Sequence, residues 1–350
     1  MELSFYQGRR VLVTGHTGFK GSWLCRMLVN AGAIVTGYSL APPTEPNLFD
    51  KAGLMGHMTD VRGDVRDFAH LLETFAAAKP EIVLHLAAQP IVRESYRDPH
   101  GTYETNVMGT VNVMECVRRT PSVKSVLNVT TDKVYQNNEW VWGYRESEPL
   151  DGYDPYSNSK SCSELVTHSY ARSFLTAAGV AVSTARAGNV IGGGDFAKDR
   201  ILPDCLRAAA AGEVIRVRNP HSTRPYQHVL EPLGVYLLLA QKQAEDGRFA
   251  GSYNVGPDDC DCLTTGELTE LFCHTWGDGA RWEDCSEPNA PHEANFLKLD
   301  CSKLKTTFGW QPRWHIAACM ENICAFARIW QSGGNVPAEM DREIQEYLGE

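Results

Sequence analysis

The segment Val11-Leu-Val-Thr-Gly15-His-Thr-Gly18-Phe-Lys-Gly21 constrains this chain more than any other. Residues 10–14 read as a buried strand. Residues 21–31 read as a helix, with Trp23, Leu24, Met27 and Leu28 on one face. Between them the glycines follow the spacing G-x-x-G-x-x-G, which lets the backbone turn tightly and approach a pyrophosphate. The helix start then offers free N–H groups and a partial positive charge to that anion. A glycine triplet alone is also compatible with a plain tight turn. Its position after the first strand of a chain that alternates strand and helix favours a dinucleotide.

The alternation continues through the first half. Apolar runs at residues 33–38, 81–87 and 125–130 read as strands, and residues 109–119 as a helix. Such a pattern predicts an α/β fold, a Rossmann-like doubly wound parallel sheet. Past residue 188 the pattern changes. Gly192, Gly193 and Gly194 and the stretch 218–225 read as loops, and residues 229–241 as a helix that returns to the sheet. The expected division is a cofactor-binding domain of residues 1–188, rejoined by 229–255. Residues 189–228 and 256–350 form a smaller substrate lobe, whose last twenty or so residues have no assigned place.

A chain of 350 residues has room for both parts. Its net charge of -10 argues against non-specific binding to nucleic acid or to an anionic membrane, which needs basic surface. Local arginines can still hold a pyrophosphate. The start, Met-Glu-Leu-Ser-Phe-Tyr, lacks a basic segment followed by an apolar one, and no stretch approaches the length of a membrane span. A cytoplasmic location is expected. The eleven cysteines show no metal-finger spacing, Cys260 and Cys262 coming nearest, so reduced thiols and no metal are expected.

Many sheets of this kind carry an acid at the end of the second strand, where it holds the adenosine ribose. Here that strand ends Thr36-Gly37-Tyr38-Ser39, and no Asp or Glu lies between Gly15 and Glu45. No Arg follows the strand to meet a 2'-phosphate, so NAD is expected over NADP. Asp64 could hold the adenine amino group or cap a helix.

Tyr156-Ser-Asn-Ser-Lys160 places a phenol and an ammonium four residues apart, on one face of a helix. A nearby cation favours the phenolate, which could take a proton from a sugar hydroxyl. Alone, this spacing is a common accident; with the glycine loop upstream it reads as chemistry. Thr131-Asp132-Lys133 follows the apolar run at 126–129, where parallel sheets bind ligands. Asp132 could serve as acid and Lys133 as base, or the pair could be a solvated turn.

These motifs, with His85-Leu-Ala-Ala-Gln89, Asn106-Val-Met-Gly-Thr and Gly188-Asn-Val-Ile-Gly-Gly-Gly-Asp195, resemble the extended short-chain dehydrogenases. Asn219-Pro-His, Arg224-Pro-Tyr-Gln-His228 and Pro291-His-Glu continue the match, from about residue 8 to 330. Asn138-Glu-Trp-Val-Trp-Gly-Tyr-Arg145 and the Asp132-Lys133 pair are similar to the CDP-glucose 4,6-dehydratase branch in particular. The resemblance implies bound NAD, held by Gly15, Gly18, Phe19, Gly21, Asp64, Val65, Leu86, Ala87, Gln89, Asn106, Tyr156 and Lys160. It implies catalysis by Thr131, Asp132, Lys133, Tyr156 and Lys160. It places Asn189, Arg200, Arg218, Arg224 and His292 against a nucleotide-sugar. Arg224 could instead be a surface loop residue. A homo-oligomer, dimer or tetramer, paired through helices at about 102–118 and 157–174, is also implied. Another nucleotide-sugar 4,6-dehydratase, a sugar 4-epimerase and a non-catalytic nucleotide sensor are the alternatives, and the intact Tyr156/Lys160 pair argues against the sensor.

Overall fold

The computed structural model describes residues 3–286 and 296–349. Strands β1 (Arg10–Thr14), β2 (Ile34–Ser39), β3 (Thr59–Arg62), β4 (Ile82–His85), β5 (Ser125–Val129) and β6 (Ala181–Ala187) build most of one sheet. Four short strands intervene before the last member, namely β7 (Val190–Ile191), β8 (Ile215–Val217), β9 (Thr223–Pro225) and β10 (Gln227–His228). Then β11 (Ser252–Val255) completes the sheet, in the order β3-β2-β1-β4-β5-β6-β11. Every pairing in it is parallel. Two further short strands, β12 (Cys262–Thr264) and β13 (Trp282–Asp284), lie outside it, paired with β9 and β8.

The helices are α1 (Phe19–Asn30), α2 (Phe68–Ala78), α3 (Val92–Arg97), α4 (Pro99–Tyr103), α5 (Gly109–Arg118) and α6 (Pro155–Tyr170) in the first half. The second half adds α7 (Ile201–Ala210), α8 (Leu230–Glu245), α9 (Thr265–Trp276), α10 (Ser302–Phe308), α11 (Ile316–Gln331) and α12 (Val336–Leu348). The central strands are apolar throughout because helices cover both faces. Side chains alternate between the two layers. Val11, Val13, Leu84 and Leu127 pack with α1 and α8, whereas Leu12, Val83 and Val126 pack with α2 and α5. A third core joins α7, α9 and α11 around Leu202, Phe272 and Met320.

The strands and helices read from sequence are present, with ends shifted by a residue or two except in α8, which runs four residues past the expected 241. The helix expected at 109–119 is longer than its pattern suggested. Asp98 caps α4 through the Gly101 N–H, and a π-helical turn at Glu104–Met108 carries the chain on into α5. The closing helix α12, which the sequence left without a place, lies against α1. Met340 and Ile344 enter the core that holds Trp23 and Leu24, and Arg26 pairs with Asp341 at 2.5 Å. All eleven cysteines are free thiols. No helix among the described residues is long and apolar enough to cross a membrane.

Candidate active site

The sheet order reverses between β1 and β4, and the loops leaving these two strands meet there. Such a switch point is where open parallel sheets bind ligands. Gly15 has φ +77, and a Cβ on it would stand 2.7 Å from the Ala87 backbone N. Gly21 lies within the first turn of α1, where a Cβ would come 2.1 Å from the Gly15 carbonyl oxygen. Both positions therefore need glycine for close packing. Gly18 caps α1 without any side-chain hydrogen bond, so the first N–H groups of the helix keep their donors for an anion. A dinucleotide diphosphate fits this cradle.

The other expected cofactor residues surround it. Leu86 and Ala87 follow β4, their N–H groups donating to Thr14 O at 3.1 Å and Thr14 Oγ1 at 3.2 Å. Asn106 is buried and bonded to its neighbours. It accepts from Gln89 N at 2.8 Å and donates to Ser159 Oγ at 2.9 Å, tying the loop after β4 to α6. The Gln89 side chain donates to Thr102 and accepts from Ile91 N. Both side chains thus shape the loop. Val65 is buried. Asp64 accepts from the Arg66 backbone and guanidinium, which hold its carboxyl below the ordinary range. It does not cap the following helix; Asp67 does, accepting from His70 N.

The region where an acid was missing contains one after all, supplied by a neighbouring strand. Asp60 on β3 lies in register with Gly37 on β2. It receives His16 Nε2 at 2.8 Å and Arg62 Nη2 at 2.8 Å. A Cβ on Gly37 would stand 2.3 Å from the His16 ring, so the glycine makes room for this contact. Arg62 also reaches Leu40 O, so an arginine does stand at the end of β2, contrary to the reading of the sequence. Its charge is matched by Asp60. Cross-strand register brought these groups together, and no local pattern announces it.

The catalytic candidates converge from β5 and α6. Asp154 caps α6 through Ser157 N, and Pro155 opens the helix. One turn on, Lys160 is buried and donates to Val129 O at 3.0 Å. Burial pulls its ammonium down to about 8, against the opposing influence of Glu164. A buried ion pair between Glu164 and Arg186, at 2.9 Å, and bonds from Thr130 and Thr184 to Glu164 lock α6 onto β5 and β6. Thr131 stands beside the Tyr156 phenol. Burial raises it to about 12, with the influence of Thr131 pulling the other way. The lowering expected from Lys160 is therefore not present: burial dominates, and the ammonium points at a carbonyl.

Asp132 is the most unusual group. It is buried, its Oδ1 accepts from Thr131 Oγ1 at 3.0 Å, and its Oδ2 has no hydrogen-bond partner. Burial raises its carboxyl above the ordinary range, although Lys133, Thr131 and Arg224 pull it down. Lys133 is half-buried beside it. The pair is not a solvated turn.

Thr131, Asp132, Lys133 and Tyr156 line one cleft of about 630 Å³, together with Lys20, Asn189, Arg200, Arg218 and Arg224; Lys160 lies behind it. That size suits a drug-sized ligand. Arg200 pairs with Asp195 at 3.0 Å and Arg218 with Asp199 at 2.8 Å. Arg224 is buried on β9, not a surface residue, and donates to Thr223 O at 2.9 Å. His292 lies outside the described residues. Tyr144 stacks on both Trp140 and Tyr135, with ring centroids 5.3 and 5.2 Å away. The sequence reading overlooked Lys20, hidden inside the glycine motif, and Tyr236, which sits behind it on α8.

Fold and site together define an extended short-chain dehydrogenase. The chain belongs to the GDP-mannose 4,6-dehydratase family, whose model matches residues 12–323. It is 49% identical to the CDP-glucose 4,6-dehydratase of Salmonella typhimurium over 354 aligned residues, covering 99% of this chain and 98% of that protein. It is 31% identical to the dTDP-glucose 4,6-dehydratase of Streptomyces antibioticus, covering 87% of this chain and 88% of that one. Among solved structures, the dTDP-glucose 4,6-dehydratase of Streptomyces venezuelae with NAD bound superposes with a TM-score of 0.80 at 23% identity, over 93% of this chain and 98% of that one. The UDP-glucose 4-epimerase of Thermus thermophilus with NAD gives a TM-score of 0.80 at 24% identity, over 91% and 99%.

Proposed function

We propose that this protein is an NAD-dependent hydro-lyase that converts CDP-D-glucose to CDP-4-keto-6-deoxy-D-glucose and water. The observation that carries the reading is Asp132, a buried carboxyl kept toward its neutral form, in one cleft with Lys133 and Tyr156. Simple oxidation or 4-epimerisation needs only the tyrosine. Loss of the C6 hydroxyl needs a proton donor as well.

NAD held over the glycine turn at Gly15, Gly18 and Gly21 would supply a reversible hydride acceptor for C4 and a donor for C6. Tyr156 takes the C4 hydroxyl proton, oriented by Thr131 and by Lys160 from the same helix. The C4 ketone acidifies the C5 proton, which Lys133 removes. Asp132 gives its proton to the C6 hydroxyl, which leaves as water. A proton then returns to C5, and the cofactor ends as it began. Thr131 joins both halves of the sequence, since it stands beside Tyr156 and donates to Asp132.

We place the dinucleotide over the glycine cradle, on a domain of residues 1–188 and 229–255. The nucleotide-sugar lies between it and a lobe of 189–228 and 256–350, against Asn189, Arg200, Arg218, Arg224 and His292. The protein works in the cytoplasm as a homo-oligomer. Exposed Met108, Leu165 and Phe174, on the helical stretches around α5 and α6, support pairing through that face.

The test is turnover of CDP-, dTDP-, UDP- and GDP-glucose, each with and without added NAD+. Loss of one water, read by mass, is expected with CDP-glucose. Preference for another nucleotide, or a product of unchanged mass, would overturn the assignment.

Two further outcomes follow from this reading. Arg224→Ala weakens CDP-glucose binding by about ten- to a hundred-fold, since a hydrogen bond to a charged group contributes roughly 1.5–3 kcal/mol. Unchanged affinity in calorimetry would remove Arg224 from the diphosphate site. The purified protein also retains NAD incompletely. The chain lacks an acid after β2, and Asp60 is already engaged by His16 and Arg62. A ribose contact of roughly 1.5–3 kcal/mol is therefore absent. Full occupancy after extensive dialysis would contradict this.

A further inference from the structure

One group of side chains with the chemistry of a binding site lies outside the cleft. Among the described residues, Cys260, Asp261 and His315 each offer a ligand atom, and the three atoms lie within 4.8 Å of one another. None of the three residues lines the cleft. Cys260 and Asp261 belong to the single 3-10 turn Asp259–Asp261 that leads into β12. His315 stands 54 residues beyond Asp261, at the N-cap of α11. Cysteine spacing, the signal read from the sequence, does not include a histidine so distant.

Asp261 fixes the geometry. It is buried, and its Oδ1 accepts from Ile316 N at 3.0 Å, which ties the turn to the start of α11. Its Oδ2 accepts from His315 Nδ1 at 2.8 Å and lies 3.8 Å from Cys260 Sγ. Metal bonds of about 2.0–2.3 Å at tetrahedral angles put ligand atoms about 3.3–3.8 Å apart. The oxygen–sulfur distance already meets that spacing. The oxygen–nitrogen distance is that of a hydrogen bond, and it must open by about half an ångström when a metal replaces the shared proton. Cys260 and His315 are exposed, so an ion reaches them from solvent without any opening of the fold.

The neighbouring acids are already matched, Asp258 by Lys305 and Asp259 by Lys298 at 3.6 Å. Attraction for a cation therefore rests on the ligand set and not on a diffuse acidic patch. One sulfur, one nitrogen and one oxygen suit a borderline-soft ion such as Zn2+, whereas Ca2+ and Mg2+ take oxygen ligands. Three protein ligands leave a fourth position for water.

We propose that Cys260, Asp261 and His315 form a site for Zn2+ or a divalent ion of its class, clipping the turn before β12 to the start of α11. The site is independent of the reaction proposed above. Strand β12 pairs with β9, so the clip braces the lobe and takes no part in the chemistry.

Co2+ is the probe, because a thiolate ligand gives it a charge-transfer band in the near ultraviolet. The full chain is stripped with a chelator and titrated with Co2+, then with Zn2+ in competition. One ion per chain is expected, with a thiolate band that Zn2+ displaces and Mg2+ does not. Cys260→Ser should abolish the band. Cys260→Ser and His315→Gln should each weaken Co2+ binding by about tenfold or more, since losing even an outer-shell partner costs about 10- to 100-fold. Cys262→Ser should behave as the parent, because that sulfur is turned to Asp258 O. Zn2+ should raise the thermal transition of the parent and leave that of Cys260→Ser unmoved. If His315→Gln fails to fold, the exposed Cys260 still carries the test. A parent without the thiolate band, a band that survives Cys260→Ser, or one lost in Cys262→Ser instead overturns the proposal.

Discussion

Tyr156→Phe is expected to lower turnover of CDP-glucose by about 10²- to 10⁴-fold, the span associated with losing a general base. The substitution removes one oxygen and leaves the ring in place, so the fold persists. NAD binding should stay close to the parent value, because the cradle at Gly15, Gly18 and Gly21 is untouched. Burial holds Tyr156 at about 12, so at neutral pH it is a phenol and a poor base. A positive charge near the phenol oxygen must bring it down when the site is loaded, and the nicotinamide cation is the one that arrives with the cofactor. Lys160, held by Val129 O, is positioned to reinforce that effect. The measurement is kcat beside equilibrium dialysis of NAD on the same preparation. Turnover within tenfold of the parent would remove Tyr156 as the base.

The parts of this molecule that could be read from sequence are those whose cause is local. The apolar run Val11 to Val13 is a strand because both faces are covered, and the glycines after it are required by contacts only a few residues away or across one loop. Thr131, Asp132 and Lys133 were recognisable because they follow the strand β5, and Tyr156 and Lys160 because they share one face of a helix. What escaped depends on register and tertiary contact. Asp60 reaches the His16 ring only because β3 pairs with β2 so that it stands beside Gly37. Arg62 comes to the end of β2 by the same register. Lys160 was expected to face Tyr156, but a strand carbonyl competes for its ammonium. Helix α12 carries an ordinary amphipathic pattern, and nothing in it names α1 as its partner before Arg26 and Asp341 meet. Lys20 was passed over because the glycines around it drew the eye to the backbone, while its own side chain points elsewhere, into the cleft.

Asp132 and Lys133 separate elimination from every other activity this scaffold could support, and their replacement should stop the reaction halfway. Asp132→Asn leaves Thr131, Tyr156 and Lys160 in place, so C4 can still be oxidised. The departing C6 hydroxyl then has no proton donor. Reduced cofactor and a bound 4-keto sugar should accumulate, visible as nicotinamide absorbance that appears within one turnover and persists. The amide is close in shape to a protonated carboxyl, which is the form burial favours at this position. Folding should therefore be little affected, and the defect is chemical. In the parent, raising the pH through the elevated range of this carboxyl removes its proton and slows elimination. The Asn variant lacks that group, so the corresponding limb of its pH profile should vanish. Lys133→Met tests the other half: C5 should no longer exchange with deuterated water, while reduction of the cofactor still occurs. Were the two residues passive, each substitution would change turnover by less than about tenfold, or about 1.4 kcal/mol. A double variant that still forms the 6-deoxy product would refute the elimination mechanism and leave Tyr156 as the sole acid–base group, the equipment of a 4-epimerase.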